Sequence, residues 1–479
     1  MILAIFFHLT KLIIANNFSL PSNFPFYWGE QPFAYPPLMF YVYALLNKAL
    51  GIKLMTLFKY LPPLTNALTI FPFYFLSKKL VGGNKALFAT FVFSMIPASF
   101  SILNGPAMPR SAGLIFLIIT AIFAYTSFKT STETRDQRKY AIVAGLFFGL
   151  TILTNPISAF DCFLTLLVFF LILSYPTYKG NLSYFACILS VGVFLSLPWW
   201  LSVLTTHGID PFLNAVLNRL GEESWLSKIA FFNPSGENLL TLWSALGLLG
   251  ALSALLRRNR NDVLLVVWLA SLSFIIGRPF NAAVPFTILV SAGFFHLILP
   301  FLRGQCKSVD EYRAFISLTL LVLLGFGIIN ALSPIVGGDN NVQSRVNRDD
   351  IKAAQWIKSN TPTNSTLLIL DHLDIWSLNT WVPTLSERNS LNCIGNMWGL
   401  DTNEYKKRRK FVNSLSHFDN LKELFTTLDR YNFTYPDYIY ASTECRNQKL
   451  MNSINRTFEP VFREETVAIY KVNISKKAE

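Results

Sequence analysis

At 479 residues, with 52% hydrophobic side chains, only 14% charged ones and 43 phenylalanines, the chain is too apolar for a water-soluble globule. Its formal net charge of +13 does not point to nucleic acid, because residues 1–333 hold 22 Lys and Arg against 11 Asp and Glu while residues 334–479 hold 19 against 17. The basic excess sits in the apolar part, where membrane topology and anionic headgroups account for it.

Taken in chain order, Met1–Asn17 is apolar but too short and too polar for a span, and it lacks the basic start of a signal peptide. The expectation is that an upstream helix precedes it. Pro36–Gly51 follows the Ala34-Tyr35-Pro36-Pro37 break. At 1.5 Å per residue it would reach only about 24 Å, so it reads as an amphipathic helix on the membrane surface, with a short hairpin span as the alternative. Ten apolar segments then follow: Leu54–Ser77, Lys85–Leu103, Arg110–Phe128, Tyr140–Thr154, Ile157–Tyr175, Leu182–Leu204, Asn238–Leu256, Val263–Gly277, Ala282–Leu302 and Arg313–Ser333. Tyr140–Thr154 and Val263–Gly277 are short, and the first is open to running past Pro156 as a broken helix.

Charge orients these spans. One set of alternate connections carries fourteen Lys and Arg: Lys78, Lys79, Lys85, Lys129, Arg135, Arg138, Lys139, Lys179, Arg257, Arg258, Arg260, Arg303, Lys307 and Arg313. The other set carries only Arg110, Arg219, Lys228 and Arg278. Cytoplasmic loops are the basic ones, so residues 1–53 and 334–479 both lie outside. The fold class expected is a polytopic α-helical membrane protein of about ten spans. It divides into outer-face surface helices and loop (1–53), a transmembrane domain (54–333) and an extracytoplasmic α/β domain (334–479), located in the cell membrane.

In the polar tail, Asp349–Asn360 has helical spacing and stops at Thr361-Pro362. Leu367–Leu370 and Tyr438–Ala441 read as strands, and Val461–Val472 as a closing hairpin. Sequons at Asn364, Asn432, Asn455 and Asn473 fit an exposed surface. The run Lys406-Lys407-Arg408-Arg409-Lys410 reads first as a solvated helix face and second as a contact to lipid phosphates. Cys393 and Cys445 share the tail and are the pair available for a disulfide, which spacing alone leaves open. No metal-ligand spacing occurs among the Cys and His.

Ionisable groups at the outer ends of spans are the candidates for chemistry, since desolvating them is costly. They are Glu30 on the N-terminal segment, Arg110, Asp161 just inside a span after Thr154-Asn155-Pro156, His207 and Asp210 after Trp199-Trp200, and Arg278. Two arginines and a carboxylate suit a lipid-linked phosphate: the guanidinium fork grips phosphate oxygens and a carboxylate deprotonates an acceptor hydroxyl. Each also has a plain structural reading. Arg110 and Arg278 snorkel to headgroups, Asp161 caps a helix or pairs with one of them, His207 and Asp210 shape a turn beside interfacial tryptophans, and Glu30 is a loop charge.

The stretches Tyr27–Ala49, Leu103–Phe116, Gly145–Phe160, Leu197–Ala215, Trp356–Pro362 and Trp381–Leu391 together resemble bacterial and archaeal members of the GT-C superfamily of polytopic membrane glycosyltransferases. The resemblance implies surface helices in the first outer loop, with Tyr35-Pro36-Pro37-Leu38 in the second of them. It implies transfer of a sugar from a polyprenyl-phosphate carrier to a glycan, lipid or protein acceptor on the outer face. It also implies an acidic residue, usually Asp near the end of a first span, acting as base or metal ligand, so a divalent cation stands as a possible cofactor. This chain has no Asp before Arg110, and Glu30 is the only carboxylate in that region. Asn155-Pro156 stands where relatives often carry His-Pro. Either that acidic residue belongs to the expected upstream segment or Glu30 stands in for it as the base, with Arg110 and Arg278, read above from their charge and place, as donor-phosphate ligands and Asp161, His207 and Asp210 as cavity polar groups. A lipid-linked-sugar transporter should show paired repeats with broken helices, and none is found. A catalytically inactive GT-C-like anchor for the tail is the other alternative.

The charge bias predicts that, in a background with the native cysteines replaced, a Cys at Asn364 is modified by an impermeant reagent from outside while a Cys at Thr132 is spared. Labelling at 132 alone would invert the topology.

Overall fold

The computed structural model describes residues 2–27, 30–101, 107–129, 135–176, 178–220, 235–236, 241–276, 279–336, 346–371, 378–393, 400–443, 445 and 447–473. Thr132 and Arg278 lie outside the described residues.

The N-terminal segment forms helix α1 (Ile2–Ala15), a two-stranded strap of β1 (Asn23–Phe24) and β2 (Gln31–Pro32), and helix α2 (Leu38–Leu50). α2 ends on Gly51 at φ +66°, a left-handed position that glycine adopts without a Cβ penalty. It buries Met39, Phe40, Tyr43 and Ala44 against α1 and the start of the bundle. This is the short helix expected over Pro36–Gly51.

Each of the ten expected apolar ranges holds helix. The first is split into α3 (Leu54–Leu68) and α4 (Ile70–Val81), because Pro72 has no N–H to donate to the Leu68 carbonyl. The second is split into α5 (Gly83–Met95) and α6 (Pro97–Ser101), since Pro97 forces Ile96 into extended backbone. Next come α7 (Ala107–Lys129), α8 (Arg135–Ile152), α9 (Pro156–Leu173) and α10 (Tyr178–His207). α8 begins five residues before the expected start and ends before Pro156, so it is a full helix of 18 residues and does not continue into α9. After α11 (Asp210–Leu220) follow α12 (Leu242–Arg257), α13 (Arg260–Ile276) and α14 (Pro279–Gly293). α14 runs through a π turn at Phe294–Ile298 into α15 (Leu299–Gln305), and α16 (Val309–Val336) closes the series. Among the described residues, five helical stretches are individually long and apolar enough to cross a membrane: Pro109–Lys129, Pro156–Leu173, Tyr178–His207, Asn281–Gln305 and Val309–Asn330.

Small residues let these helices approach closely. A Cβ on Gly250 of α12 would lie 1.9 Å from the Leu289 carbonyl oxygen of α14, and one on Gly247 would lie 2.1 Å from the Phe286 ring. Opposite them, a Cβ on Gly293 would lie 2.7 Å from the Leu246 carbonyl oxygen and 2.9 Å from the Gly250 nitrogen. Polar pins add specificity. Trp268 on α13 donates its indole N–H to Thr165 Oγ1 on α9 at 2.8 Å.

The tail is a three-layer α/β domain. Helix α17 (Arg348–Asn360) starts at a capping box in which Asn347 and Asp350 bond each other's backbone N–H groups. The remaining elements are β3 (Thr366–Leu370), α18 (Leu378–Ser386), β4 (Asn389–Ser390), α19 (Thr402–Ser414), α20 (Leu421–Tyr431), β5 (Tyr438–Ser442), α21 (Gln448–Thr457), β6 (Pro460–Arg463) and β7 (Val467–Lys471). The sheet order is β4-β3-β5-β7-β6, parallel across β4-β3-β5 and antiparallel across β5-β7-β6. Along β3 the side chains alternate: Leu367 and Ile369 pack under α17 and α18, while Leu368 and Leu370 pack against α19, α20 and α21. The expected helix, strands and hairpin are all present, and all four sequon asparagines are exposed. Cys393 and Cys445 are separate buried free thiols in different apolar clusters, so the disulfide left open above does not form.

The Gly250 contact sets a test. Gly250→Ala is expected to cost about 1–3 kcal/mol through overpacking and to lower the Tm of the detergent-solubilised protein. Gly180→Ala, where the added methyl meets open space within a helix, should hold or slightly raise Tm. Equal Tm values for the two variants would mean that α12 and α14 are not held this closely.

Candidate active site

The site forms where the N-terminal strap meets the ends of α7, α9 and α14. Asn155 organises it. Its side-chain oxygen accepts from the backbone N–H groups of Ile157 and Ser158, both at 3.0 Å, which starts α9 with Pro156 at the first helical position. Its amide nitrogen donates to the Tyr35 hydroxyl at 2.9 Å. One asparagine thus begins a helix and ties down the residue preceding Pro36-Pro37. The backbone supports the same junction, with Leu38 N–H donating to the Leu153 carbonyl at 3.0 Å.

Arg110, in the first turn of α7, lies within electrostatic reach of Tyr35. Burial pushes the Tyr35 phenol above its usual range, opposed by the Arg110 charge and by the bond to Asn155, so it stays protonated. Just inside Arg110, Gly113 is packed so closely on α9 that a Cβ there would lie 2.7 Å from Ser158 Oγ. Ser158 and Asp161 are one turn apart on α9, and both are buried. Asp161 Oδ2 accepts a hydrogen bond from the Asn281 amide of α14. Tyr35, Arg110, Asn155, Ser158, Asp161 and Asn281 therefore form one polar seam through an apolar bundle, running from the strap to α14.

The other expected site residues are placed differently. Glu30 is exposed on the strap beside β2. His207, at the end of α10, donates from Nε2 to the Ser22 carbonyl at 2.8 Å and so fastens the strap from the other side. Asp210 is exposed in the first turn of α11. The structure brings Arg110 and Asp161 into the seam, leaves Glu30 and Asp210 exposed, and ties His207 to the strap at Ser22; Arg278, three residues before Asn281, is outside the described residues. Among the described residues, no three His, Cys, Asp or Glu side chains converge on a metal-sized space.

Sequence reasoning missed Tyr35, Ser158 and Asn281 as site members. Tyr35 reads as part of a helix-introducing break, and a lone Ser or Asn in a span carries no periodic signal. It also missed the junction with the tail domain. Tyr27 forms a parallel bridge with Ser390, extending the tail sheet by one position, and its hydroxyl bonds Thr384 Oγ1. Lys11 and Lys358 both reach Glu387 Oε1, at 3.3 and 2.6 Å. Beneath them His8 is 4% exposed, and neither ring nitrogen has a partner. Burial and the Lys11 charge lower its pKa to about 4.

No protein-family model matches the chain, and no curated protein matches it by sequence. Solved structures do match. The archaeal oligosaccharyltransferase AglB of Archaeoglobus fulgidus, in complex with an inhibitory peptide and a dolichol-phosphate, superimposes with a TM-score of 0.63 at 15% identity. That alignment covers 92% of this chain and 65% of AglB, so the chain spans about two-thirds of its length. ArnT of Cupriavidus metallidurans bound to undecaprenyl phosphate gives a TM-score of 0.58 at 13% identity over 99% of this chain and 94% of ArnT. The mycobacterial arabinofuranosyltransferase AftD gives 0.52 at 13% identity over 98% of this chain and 39% of its own. The protein is an integral membrane protein of helical bundle plus C-terminal α/β domain, and its fold is that of the GT-C glycosyltransferases.

The His8 environment makes a pH prediction. The folded protein keeps His8 neutral down to about pH 4, whereas the unfolded chain takes up the proton near 6.5. The unfolded state therefore binds more protons between those values, and stability falls as pH drops through that window, by about 3 kcal/mol in all. His8→Phe should flatten this part of the Tm–pH curve relative to the parent. Parallel curves would show that His8 is hydrated in the folded state.

Proposed function

We propose that the protein is a membrane glycosyltransferase that moves a sugar from a polyprenyl-phosphate-linked donor to an acceptor on the outer face. The observation that carries this reading is the seam itself, an arginine and a buried carboxylate joined to a pinned surface strap, within a GT-C fold. AglB and ArnT, which share the fold, have been described with dolichol-phosphate and undecaprenyl phosphate respectively. In this reading residues 54–333 span the bilayer and 334–479 lie outside it, as the charge bias requires.

The chemistry follows from the residues. Arg110, with Arg278 as its partner, holds the carrier phosphate through guanidinium forks. An acceptor hydroxyl attacks the anomeric carbon, the bond from that carbon to the phosphate oxygen breaks, and polyprenyl phosphate leaves with the electron pair. Arginine neutralises the charge that develops on it. Glu30 on the strap takes the hydroxyl proton. Asp161, oriented by Asn281, faces the positive charge that builds on the sugar. His207 and Asp210 shape the rim where the acceptor enters.

The test is release of polyprenyl phosphate by the purified protein in proteoliposomes containing polyprenyl-phosphate hexose or pentose donors. Arg110→Lys should weaken donor binding about tenfold, by loss of one charge-assisted bond. Glu30→Gln should lower turnover by about 10²–10⁴ with donor binding intact. Full turnover in Glu30→Gln removes it as the base, and full loss in Asp161→Asn with binding retained moves that role to Asp161. No release and no binding of any such donor would overturn the reading.

A further inference from the structure

The basic run on α19 is only partly neutralised. Glu404 takes Arg408 at 2.6 Å and Lys407 at 3.6 Å, and the Lys407 ammonium also sits 4.8 Å over the Phe433 ring. Lys406 and Lys410, one turn apart on the same helix side, are exposed and have no ionic or hydrogen-bond partner among the described residues. α19 packs against α11 of the membrane part. That short helix is held at its start by Phe212 edge-on to Trp199, with ring centroids 5.8 Å apart.

α11, together with the residue just before it, exposes an apolar side. Ile209, Leu213, Val216 and Leu217 recur at helical spacing and are 56, 47, 55 and 52% exposed. The preceding helix α10 likewise exposes large apolar side chains, Phe194 and Leu201. An exposed apolar stripe directly after a long apolar helix, on an element packed against the helix that carries two unpaired lysines, is the composition of an interfacial helix: apolar side at the acyl boundary, cations at headgroup level. We propose that α11 and the Lys406–Lys410 side of α19 together form a docking surface for the anionic bilayer leaflet, coupling the tail domain to lipid charge. The assignment of that leaflet as the outer one rests on the topology proposed above.

The experiment is hydrogen–deuterium exchange on the full chain in nanodiscs of phosphatidylcholine alone, and in discs with about one part in three phosphatidylglycerol. Both disc faces carry the same lipid, so failure here leaves the topology reading untouched. At low salt the amides of 402–414 should exchange more slowly in the anionic discs, on the order of tenfold for two lysines at the surface. The difference should vanish at about 0.5 M salt, where screening is complete within a few ångströms. Lys406→Glu with Lys410→Glu should abolish it without changing exchange in the neutral discs, and Leu213→Ser with Leu217→Ser should abolish it as well. Equal exchange of the parent protein in both lipids overturns the proposal. So does protection that depends on protein concentration rather than lipid charge, which would assign the surface to a second copy of the chain.

Discussion

The arrangement depends on how a single side chain, Asn155, distributes its three hydrogen bonds. An asparagine before proline at the mouth of a helix satisfies two backbone N–H groups that would otherwise be stranded near hydrocarbon, where an unpaired donor is costly. Fixing the first turn of α9 also fixes the depth of Ser158, which lies in that turn, and of Asp161, one turn further along. Because the same amide holds Tyr35, the depth of the carboxylate and the position of the strap are a single geometric fact. A serine or aspartate would cap the helix equally well but could not also donate to Tyr35 from a second, nitrogen end.

The strap is fastened from three directions: His207 at Ser22, Asn155 at Tyr35, and the tail sheet at Tyr27. The last of these makes the tail domain part of the site's architecture. Its edge strand β4 has only two residues, and the strap covers what would otherwise be an exposed sheet edge. The Lys11–Glu387–Lys358 cluster at this junction is half-exposed and contributes mainly register; buried His8 below it makes the junction sensitive to acid. Glu387 adds in the same direction, since its two lysines hold its carboxyl below the ordinary value despite burial, and that stability is also lost as pH falls.

Within the bundle, helix breaks occur where proline removes a donor or restricts its predecessor, at Leu68–Pro72, Ile96–Pro97 and Asn155–Pro156. Glycine does the complementary work. Gly250 and Gly293 let α12 and α14 touch through backbone, Gly247 makes room for the Phe286 ring, and Gly113 lets α7 close onto the Ser158 side chain of α9. The last of these contacts delivers Arg110 to the seam.

By itself the sequence determined the membrane class, the ten helical ranges, the short helix after Pro36-Pro37 and the α/β tail. These follow from segment length, hydropathy and local break signals, which act within a few residues along the chain. It also singled out Arg110 and Asp161, because charge at a span end is costly enough to stand out against an apolar background. It could not show that Tyr35, Ser158 and Asn281 complete the seam, that Tyr27 extends a sheet more than 350 residues away, or that Cys393 and Cys445 belong to different cores. Those are pairings between segments distant in the chain. Their partners are chosen by helix packing and strap closure, and a neutral Tyr, Ser or Asn carries no local pattern that names its partner.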